Sequence, residues 1–307
     1  MKSTQFFKHS AFILLGLGLV SSPAHATVMV GATADANTLA NIISGPGVTI
    51  SGAKYNGAPL ASGTFTGGSS AGIGLDTGII LTTGNAKDAE GPNNSDGKSV
   101  SNPTGGDPEL SALINGATTD DAASLTLDFT TTGGDLFFNY VFASEEYNEF
   151  VNSSYNDVFG FFLDGNNIAL IPGTTTPVSI NNVNGGNPFG ANAKNPGFYN
   201  NNDPNDPGPP SFNIQYDGFT KVFQAQALNL KPGTHTIKLA IADAGDSSLD
   251  SAVFIQGGSF SDVPATPIPF EFSPTFGLLA LGIWGGIGQL KSLVQKSKSS
   301  ESAFSKN

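Results

Sequence analysis

The strongest constraint on the fold comes from two runs dense in Phe, Tyr and Val, at residues 136–144 and 156–164. Aromatic and β-branched side chains favour the pleated surface of a sheet, so each run predicts a β-strand. In the first run both alternating faces are apolar, with Phe138 on one face and Phe137 on the other. This pattern is typical of a strand that is covered on both sides and lies centrally in a sandwich. The sequence therefore predicts two buried strands joined by a short crossing.

The remainder of the chain indicates a mainly β protein. Residues 124–129 and 234–241 alternate apolar with polar side chains, residues 219–228 form a further predicted strand, and turns rich in Gly, Asn and Pro separate such segments. The pattern predicts one or two short helices, the clearer at residues 107–110. A chain of 307 residues is long enough to bury a sizeable core. We predict a single antiparallel β-sandwich of the jelly-roll type over residues 27–262.

The N-terminus has the pattern of a secretory signal peptide. Lys2 and Lys8 precede an apolar run over residues 11–20, and small residues follow at Ala24 and Ala26. A basic start, a short apolar stretch and a small-x-small site are the three parts of such a signal. We therefore expect cleavage after residue 26 and export by the general secretory route.

The C-terminus has the pattern of an anchoring or sorting signal. A Pro-rich linker and motif at residues 263–275 precede an apolar segment at 276–290, which we expect to form an anchor helix, and a basic tail at 291–307 that stays cytoplasmic. The apolar segment is shorter than the roughly 20 residues that span a bilayer comfortably. The arrangement resembles the tripartite PEP-CTERM type of sorting signal, here with Pro-Phe-Glu at 269–271. That resemblance implies handling by an exosortase-like enzyme.

Composition excludes several classes of site. The chain has no Cys, which rules out disulfides, thiolate nucleophiles and Cys-based zinc sites. Its 25 acidic residues outnumber 13 basic residues, all of them Lys, for a formal net charge of −12. A surface of this charge repels nucleic acid and attracts cations. The fold must therefore hold by packing alone or with the help of a metal ion.

Two acidic loops are the best candidates for a functional site. The crossing between the two buried strands and a later loop at residues 242–250 concentrate carboxylates in a chain otherwise poor in charge. Because calcium takes several carboxylate and carbonyl oxygens, we predict a Ca²⁺ site at these loops, provided that both lie at the same end of the sandwich. The alternative is that the acids cap turns and face water. The predicted ligands are Glu145, Glu146, Asp157, Asp243, Asp246 and Asp250.

A second interpretation assigns carbohydrate binding to aromatic residues on the loops. Tyr147, Tyr155 and Tyr199 lie near Asn side chains, so their rings would stack on a sugar while the amides bind its hydroxyl groups. A surface polysaccharide or a matrix component is the partner that this interpretation predicts. The sandwich region has no Trp, since Trp284 lies in the C-terminal segment. The alternative is that these rings plug the ends of the sandwich.

The sequence gives little support to catalysis. Once the signal peptide is removed, His235 is the only His, and its place on an alternating strand beside a turn predicts an ordinary surface residue. Glu145 and Glu146 are adjacent and point to opposite faces of an extended chain. By themselves they do not form the facing pair that glycoside hydrolysis uses. We therefore predict a non-enzymatic surface or matrix protein, with a calcium-dependent lectin and then a glycoside hydrolase as alternatives.

Four segments in this order resemble the choice-of-anchor L domain family: residues 78–84, 140–147, 156–162 and 250–254. The resemblance covers residues 37–260. It implies an exported bacterial protein whose ectodomain is joined to an anchoring or sorting signal. The resemblance supplies no catalytic residues, so the site prediction depends on the chemistry of the side chains.

Overall fold

The computed structural model describes residues 26–207 and 212–264, where the chain forms thirteen β-strands and three α-helices. The strands are β1 (Met29–Ala32), β2 (Val48–Asn56), β3 (Ser62–Thr66), β4 (Gly78–Thr82), β5 (Thr119–Thr131), β6 (Leu136–Ser144), β7 (Val158–Leu163), β8 (Asn166–Asn167), β9 (Tyr199–Asn201), β10 (Gly218–Thr220), β11 (Phe223–Ala227), β12 (His235–Ala244) and β13 (Ser251–Gln256). The helices are α1 (Ala36–Ile43), α2 (Gly68–Ala71) and α3 (Pro108–Leu113).

The strands pair into two antiparallel sheets. The eight-stranded sheet has the order β1-β3-β4-β13-β6-β10-β9, with β11 also paired to β6, and the five-stranded sheet has the order β2-β5-β12-β7-β8. The mainly β sandwich that the sequence predicts is confirmed. The predicted helix at residues 107–110 is α3, whose first turn is capped by the Asp107 carboxylate.

β6 is a central strand of the larger sheet, as its two apolar faces predict. It pairs with β13 on one side and with β10 and β11 on the other. One face belongs to the main core between the sheets, while Val141 and Ala143 on the other face belong to a second core. The side chains directed to the main core are Leu136, Phe138, Tyr140 and Phe142.

β7, the second aromatic run, lies in the smaller sheet and packs against β6. The ring centroids of Phe161 and Phe138 are 4.9 Å apart, and those of Phe159 and Phe142 are also 4.9 Å apart. Such aromatic pairs contribute about 0.5–1.5 kcal/mol each beyond the burial of their area. The two runs therefore hold the two sheets together.

Residues 219–228 form two strands, so the prediction of one continuous strand is wrong. Phe219 lies opposite Ala143 and Phe223 lies opposite Tyr140, which leaves one extra residue between β10 and β11. The Thr220 hydroxyl accepts the backbone N–H of Phe142 at 3.1 Å within this interruption. The Thr220 side chain thus replaces one backbone bond of the ladder. The alternation of apolar and polar residues does not reveal this interruption.

Several strand ends gather at one end of the sandwich. The end of β6 lies beside the starts of β13 and β10, because Ser144 is opposite both Ser251 and Gly218. In the other sheet the end of β12 lies beside the starts of β7 and β5. Two chain segments therefore pass from one sheet to the other at this end, β6 to β7 and β12 to β13.

The predicted signal peptide, apart from residue 26, lies outside the described residues, as do residues 265–275 of the linker, the anchor helix and the basic tail. Within residues 26–207 and 212–264, none of the helices has the length and apolar character needed to cross a membrane.

Candidate metal centre

Both acidic loops lie at the same end of the sandwich, which we call the acidic end. The backbone N–H of Glu145, in the β6–β7 crossing, donates to the carbonyl oxygen of Asp250 at 3.1 Å. The backbone N–H of Ala244, at the end of β12, donates to the Asp157 carboxylate at 2.9 Å. These two contacts join the crossings, so the two predicted acidic loops are neighbours in space.

Asp157 and Asp243 form the centre of the acidic end, and both side chains are buried. Asp157 is partly satisfied, since the Ser251 hydroxyl donates to its second oxygen at 2.7 Å, yet burial raises its pKa to about 7. Neither carboxylate oxygen of Asp243 has a hydrogen-bond partner of good geometry, although Thr83 and the Asp157 carboxyl lie close to it. Burial, and next the charge of Asp157, raise the pKa of Asp243 well above its ordinary value. A buried carboxylate left in this state carries a large desolvation cost.

A β-bulge brings a further carboxylate to this centre. The register between β12 and β5 shifts between Ile241 and Asp243, opposite residues 120–123. In the bulge Asp121 has a φ of +51°, in the left-handed region, which Asp adopts more readily than most residues. Its charge is one of those that raise the pKa of Asp243. Bulges commonly redirect a side chain next to a functional site.

Glu146, Asp246 and Asp250 complete the group around Asp157 and Asp243. Glu146 is 1% exposed, one of its oxygens has no partner, and burial together with the charges of Asp157 and Asp246 raises its pKa to about 10. Asp246 is exposed. Both oxygens of Asp250 accept the backbone N–H of Val100 at 3.1 Å. We call Glu146, Asp157, Asp243 and Asp250 the inner group.

Glu145 has Asp217 as its main charged neighbour, while Asp250 has a smaller effect on it. Its pKa is raised to about 10, by burial and then by the charge of Asp217. One of its oxygens accepts the backbone N–H of Lys98 at 3.3 Å, and the other has no partner. The acidic end therefore extends beyond the six predicted residues.

An outer group consists of Asp96, Glu149 and Asp203, whose carboxylate oxygens lie within 4.8 Å of one another. These residues are not among the predicted ligands, because Asp96 and Asp203 lie far in sequence from the acidic crossing that contains Glu149. Asp96 and Asp203 lie in long polar loops, and loops of that length are often functional. The length of these loops marks them as candidate functional segments, but it does not show which of their side chains lie close together.

Among the described residues, the carboxylates of the inner and outer groups form no ion pairs. The ion pairs of the described residues join Lys98 to Asp88, Lys238 to Asp107 and Glu109, and His235 to Asp164. None of them includes a carboxylate of the inner or outer group. Burial of these carboxylates is therefore not offset by an ion pair among the described residues.

The three tyrosines predicted to stack on a sugar differ in how deeply they are buried. Tyr147 is fully buried and donates its hydroxyl to the Val183 carbonyl oxygen at 2.7 Å. The Tyr199 ring packs against it at a centroid distance of 4.9 Å and is 8% exposed. Rings buried in this way have no face free for a sugar. Of the three tyrosines, Tyr155 alone keeps a partly exposed side chain.

His235 lies at the start of β12, far from the acidic end of that strand. Its Nδ1 is 2.6 Å from an Asp164 oxygen and its Nε2 is 2.8 Å from the Lys231 carbonyl oxygen. Both partners are acceptors, so the protonated ring satisfies both contacts, and the Asp164 hydrogen bond raises the His235 pKa. A ring held in this state is a poor general base.

Comparison with known proteins agrees with the motifs in the sequence. No curated protein and no solved structure gives a significant match to the chain. The sequence model of the Choice-of-anchor L domain matches residues 27–261, which include both acidic loops and nearly all of the described sandwich. The domain indicates a surface or exported protein. The chain therefore belongs to the Choice-of-anchor L domain family.

Proposed function

We propose that the protein is a non-enzymatic module of the cell surface or extracellular matrix, whose sandwich is stabilised by Ca²⁺ bound to the inner group. The observation that carries this proposal is Asp243, a buried carboxylate with neither oxygen partnered, beside the buried Asp157. Removing one charge from water costs several kcal/mol unless an opposite charge compensates. A divalent cation supplies that compensation for several carboxylates at once.

The donor set favours calcium over other metals. The inner group offers only carboxylate oxygens, with backbone carbonyls nearby, and Ca²⁺ takes six to eight oxygen ligands in flexible geometry. Zinc prefers Cys and His, but the chain has no Cys and His235 lies at the far end of β12. The inner group therefore fits a hard cation.

A cation in this position would join the two crossings and hence the two sheets. Asp157 belongs to the β6–β7 crossing, while Asp243 and Asp250 lie on the β12–β13 side. One ion contacting all three would close a long chain loop, as a disulfide does in other exported domains. It would also keep the carboxylates charged, so they would serve as ligands and not as proton donors.

Thermal unfolding of the purified protein in excess CaCl₂ and in excess chelator tests this proposal. A ligand selective for the folded state stabilises it by about 2.7 kcal/mol at a hundredfold excess over Kd. In a domain of this size that corresponds to a rise of roughly 5–10 °C in Tm. An unchanged Tm, together with metal analysis that finds no bound calcium, would overturn the proposal.

For the structural module the proposed partner is a matrix component, and for the lectin alternative it is a surface polysaccharide. A glycan array with and without calcium tests the structural module against the lectin alternative, since reproducible calcium-dependent binding to one sugar class would establish a carbohydrate-binding module. Hydrolysis of a glycan that is lost in Glu146→Gln, with the fold retained, would contradict a non-enzymatic role.

The C-terminal segment is proposed to anchor the protein until an exosortase-like enzyme acts on it. The support is the motif and apolar segment at residues 269–290. The intact mass of the exported protein distinguishes a retained tail from a removed one. An exported protein that keeps residues 291–307 would exclude cleavage within this segment.

A further inference from the structure

The outer group brings together three parts of the chain. Asp96 comes from the polar loop after β4, Glu149 from the β6–β7 crossing, and Asp203 from the segment after β9. Their oxygens lie within 4.8 Å of one another. Asp203 is buried, whereas Asp96 and Glu149 are exposed.

Asp217 lies behind the outer group and supplies independent evidence of a ligand. It is fully buried, and one of its oxygens accepts the Asn93 side-chain amide at 2.6 Å while the other has no partner. After burial and the Asn93 hydrogen bond, the charges of Asp203, Asp96 and Glu149 have the largest effects on its pKa, and all three raise it. These three carboxylates are therefore close charged neighbours of Asp217, together with Glu145.

Buried side-chain amides hold Asp217 in place through hydrogen bonds. Asn93 also donates to the Asn202 carbonyl oxygen at 3.0 Å, and Gln215 donates to the Asn93 side-chain oxygen at 2.9 Å. These bonds fix Asp217 and the start of the Asp203 segment in place. They leave one Asp217 oxygen and one oxygen of the neighbouring Glu145 without a hydrogen-bond donor.

We propose that Asp96, Glu149 and Asp203, with Asp217 behind them, bind a second Ca²⁺, separate from the ion of the inner group. The site ties the loop after β4 and the segment after β9 to the β6–β7 crossing. Its outer side is open to solvent, so water molecules complete the oxygen shell that calcium requires. The competing arrangement is a set of shared protons, since Glu145 and Asp217 lie within hydrogen-bond reach of each other.

Calorimetric titration of the metal-free protein with CaCl₂ tests this proposal. The variants are Asp96→Asn, which changes an exposed side chain at little risk to the fold, and Asp96→Asn combined with Asp203→Asn. Asp76→Asn is the matched control, because Asp76 is exposed and precedes the opposite end of β4. Tb³⁺, which also prefers oxygen ligands, serves as a luminescent probe sensitised by the nearby Tyr199.

The expected result is two calcium ions per chain in the wild type and in Asp76→Asn. The double variant should lose one ion, and Asp96→Asn should weaken binding of that ion by tenfold or more. Both should also reduce tyrosine-sensitised Tb³⁺ emission. The proposal would be overturned if Asp96→Asn and the double variant gave the same titration curves and the same Tb³⁺ emission as the wild type.

The inner and outer sites fail independently. Loss of all calcium binding on Asp243→Asn, with no effect of Asp96→Asn, would support the inner site and reject the outer one. Weakened calcium binding in Asp96→Asn, with no effect of Asp243→Asn, would reject the inner site and retain the outer one.

Discussion

The Asp243→Asn substitution tests the acidic end most sharply, because it removes a charge with almost no change in shape. In the cation-free protein, burial and the charge of Asp157 raise the pKa of this carboxyl well above its ordinary value, which favours its protonated form. The ordinary pKa of Asp is about 3.9, and one pH unit corresponds to about 1.4 kcal/mol, so protonation at pH 7 costs at most about 4 kcal/mol. The substitution removes that cost.

The expected gain is smaller than this ceiling. The amide of Asn is also buried without a partner, which costs about 1–3 kcal/mol. We therefore expect Asp243→Asn to be more stable than the wild type in chelator by about 1–3 kcal/mol. In a domain of this size that raises Tm by roughly 2–12 °C. In excess calcium the variant should show little of the wild-type gain, because it lacks one anionic ligand.

Thermal unfolding followed by circular dichroism, with each protein in chelator and in CaCl₂ at pH 7, measures both effects. Asp76→Asn makes the same charge change on an exposed residue away from the acidic end and should leave both values unchanged. A variant that is less stable than the wild type in chelator and keeps the full calcium response would refute the reasoning.

Three further predictions concern pH, the core and His235. In chelator, stability should fall as pH rises from 5 to 8, because the pKa of Glu146 is raised to about 10 and the folded state keeps a proton that the unfolded chain releases. The slope is on the order of 1 kcal/mol per pH unit for each such group, and stability that rises over this range in urea titrations would contradict the assignment. Phe138→Ala should destabilise the fold by about 3–5 kcal/mol without changing calcium stoichiometry, while Met29→Ala, at a side chain 56% exposed, should have little effect in the same urea titrations. Asp164→Asn should lower the free energy of unfolding by less than about 1 kcal/mol. Because the Asp164 hydrogen bond raises the His235 pKa, this loss should be present below pH 6.5 and vanish as pH rises through the raised pKa. A cost that grows toward pH 9 would reject the pair as its source.

The sequence predicts the sandwich well because burial leaves a local mark. β6 is apolar on both faces, and a strand covered on both sides needs that composition wherever its partners lie. The placement of β6 and β7 in different sheets has no such mark, since alternation reports burial and not strand pairing. The interruption at Thr220 is invisible for the same reason, because a hydroxyl replaces a ladder bond without altering the apolar pattern.

The candidate site was predictable only where its residues are concentrated in sequence. Glu146 and Asp157 lie in one crossing, so their density marked the segment. Asp121 is brought in by a bulge, and Asp217 by a strand pair that joins β10 to the end of β6. These placements depend on long-range pairing. The unpartnered oxygens, which carry the metal proposals, are visible only once the side chains are placed.

The bond from the Ala244 N–H to the Asp157 carboxylate has a consequence for the way the molecule opens. That amide is held by a carboxyl side chain at the end of the ladder, so its protection from hydrogen exchange depends on whether Asp157 stays ordered. The amides of β6, by contrast, lie between paired strands in the aromatic core and should exchange only on global unfolding. The domain would then have two opening free energies, one set by packing and one set by the concentration of cation around it.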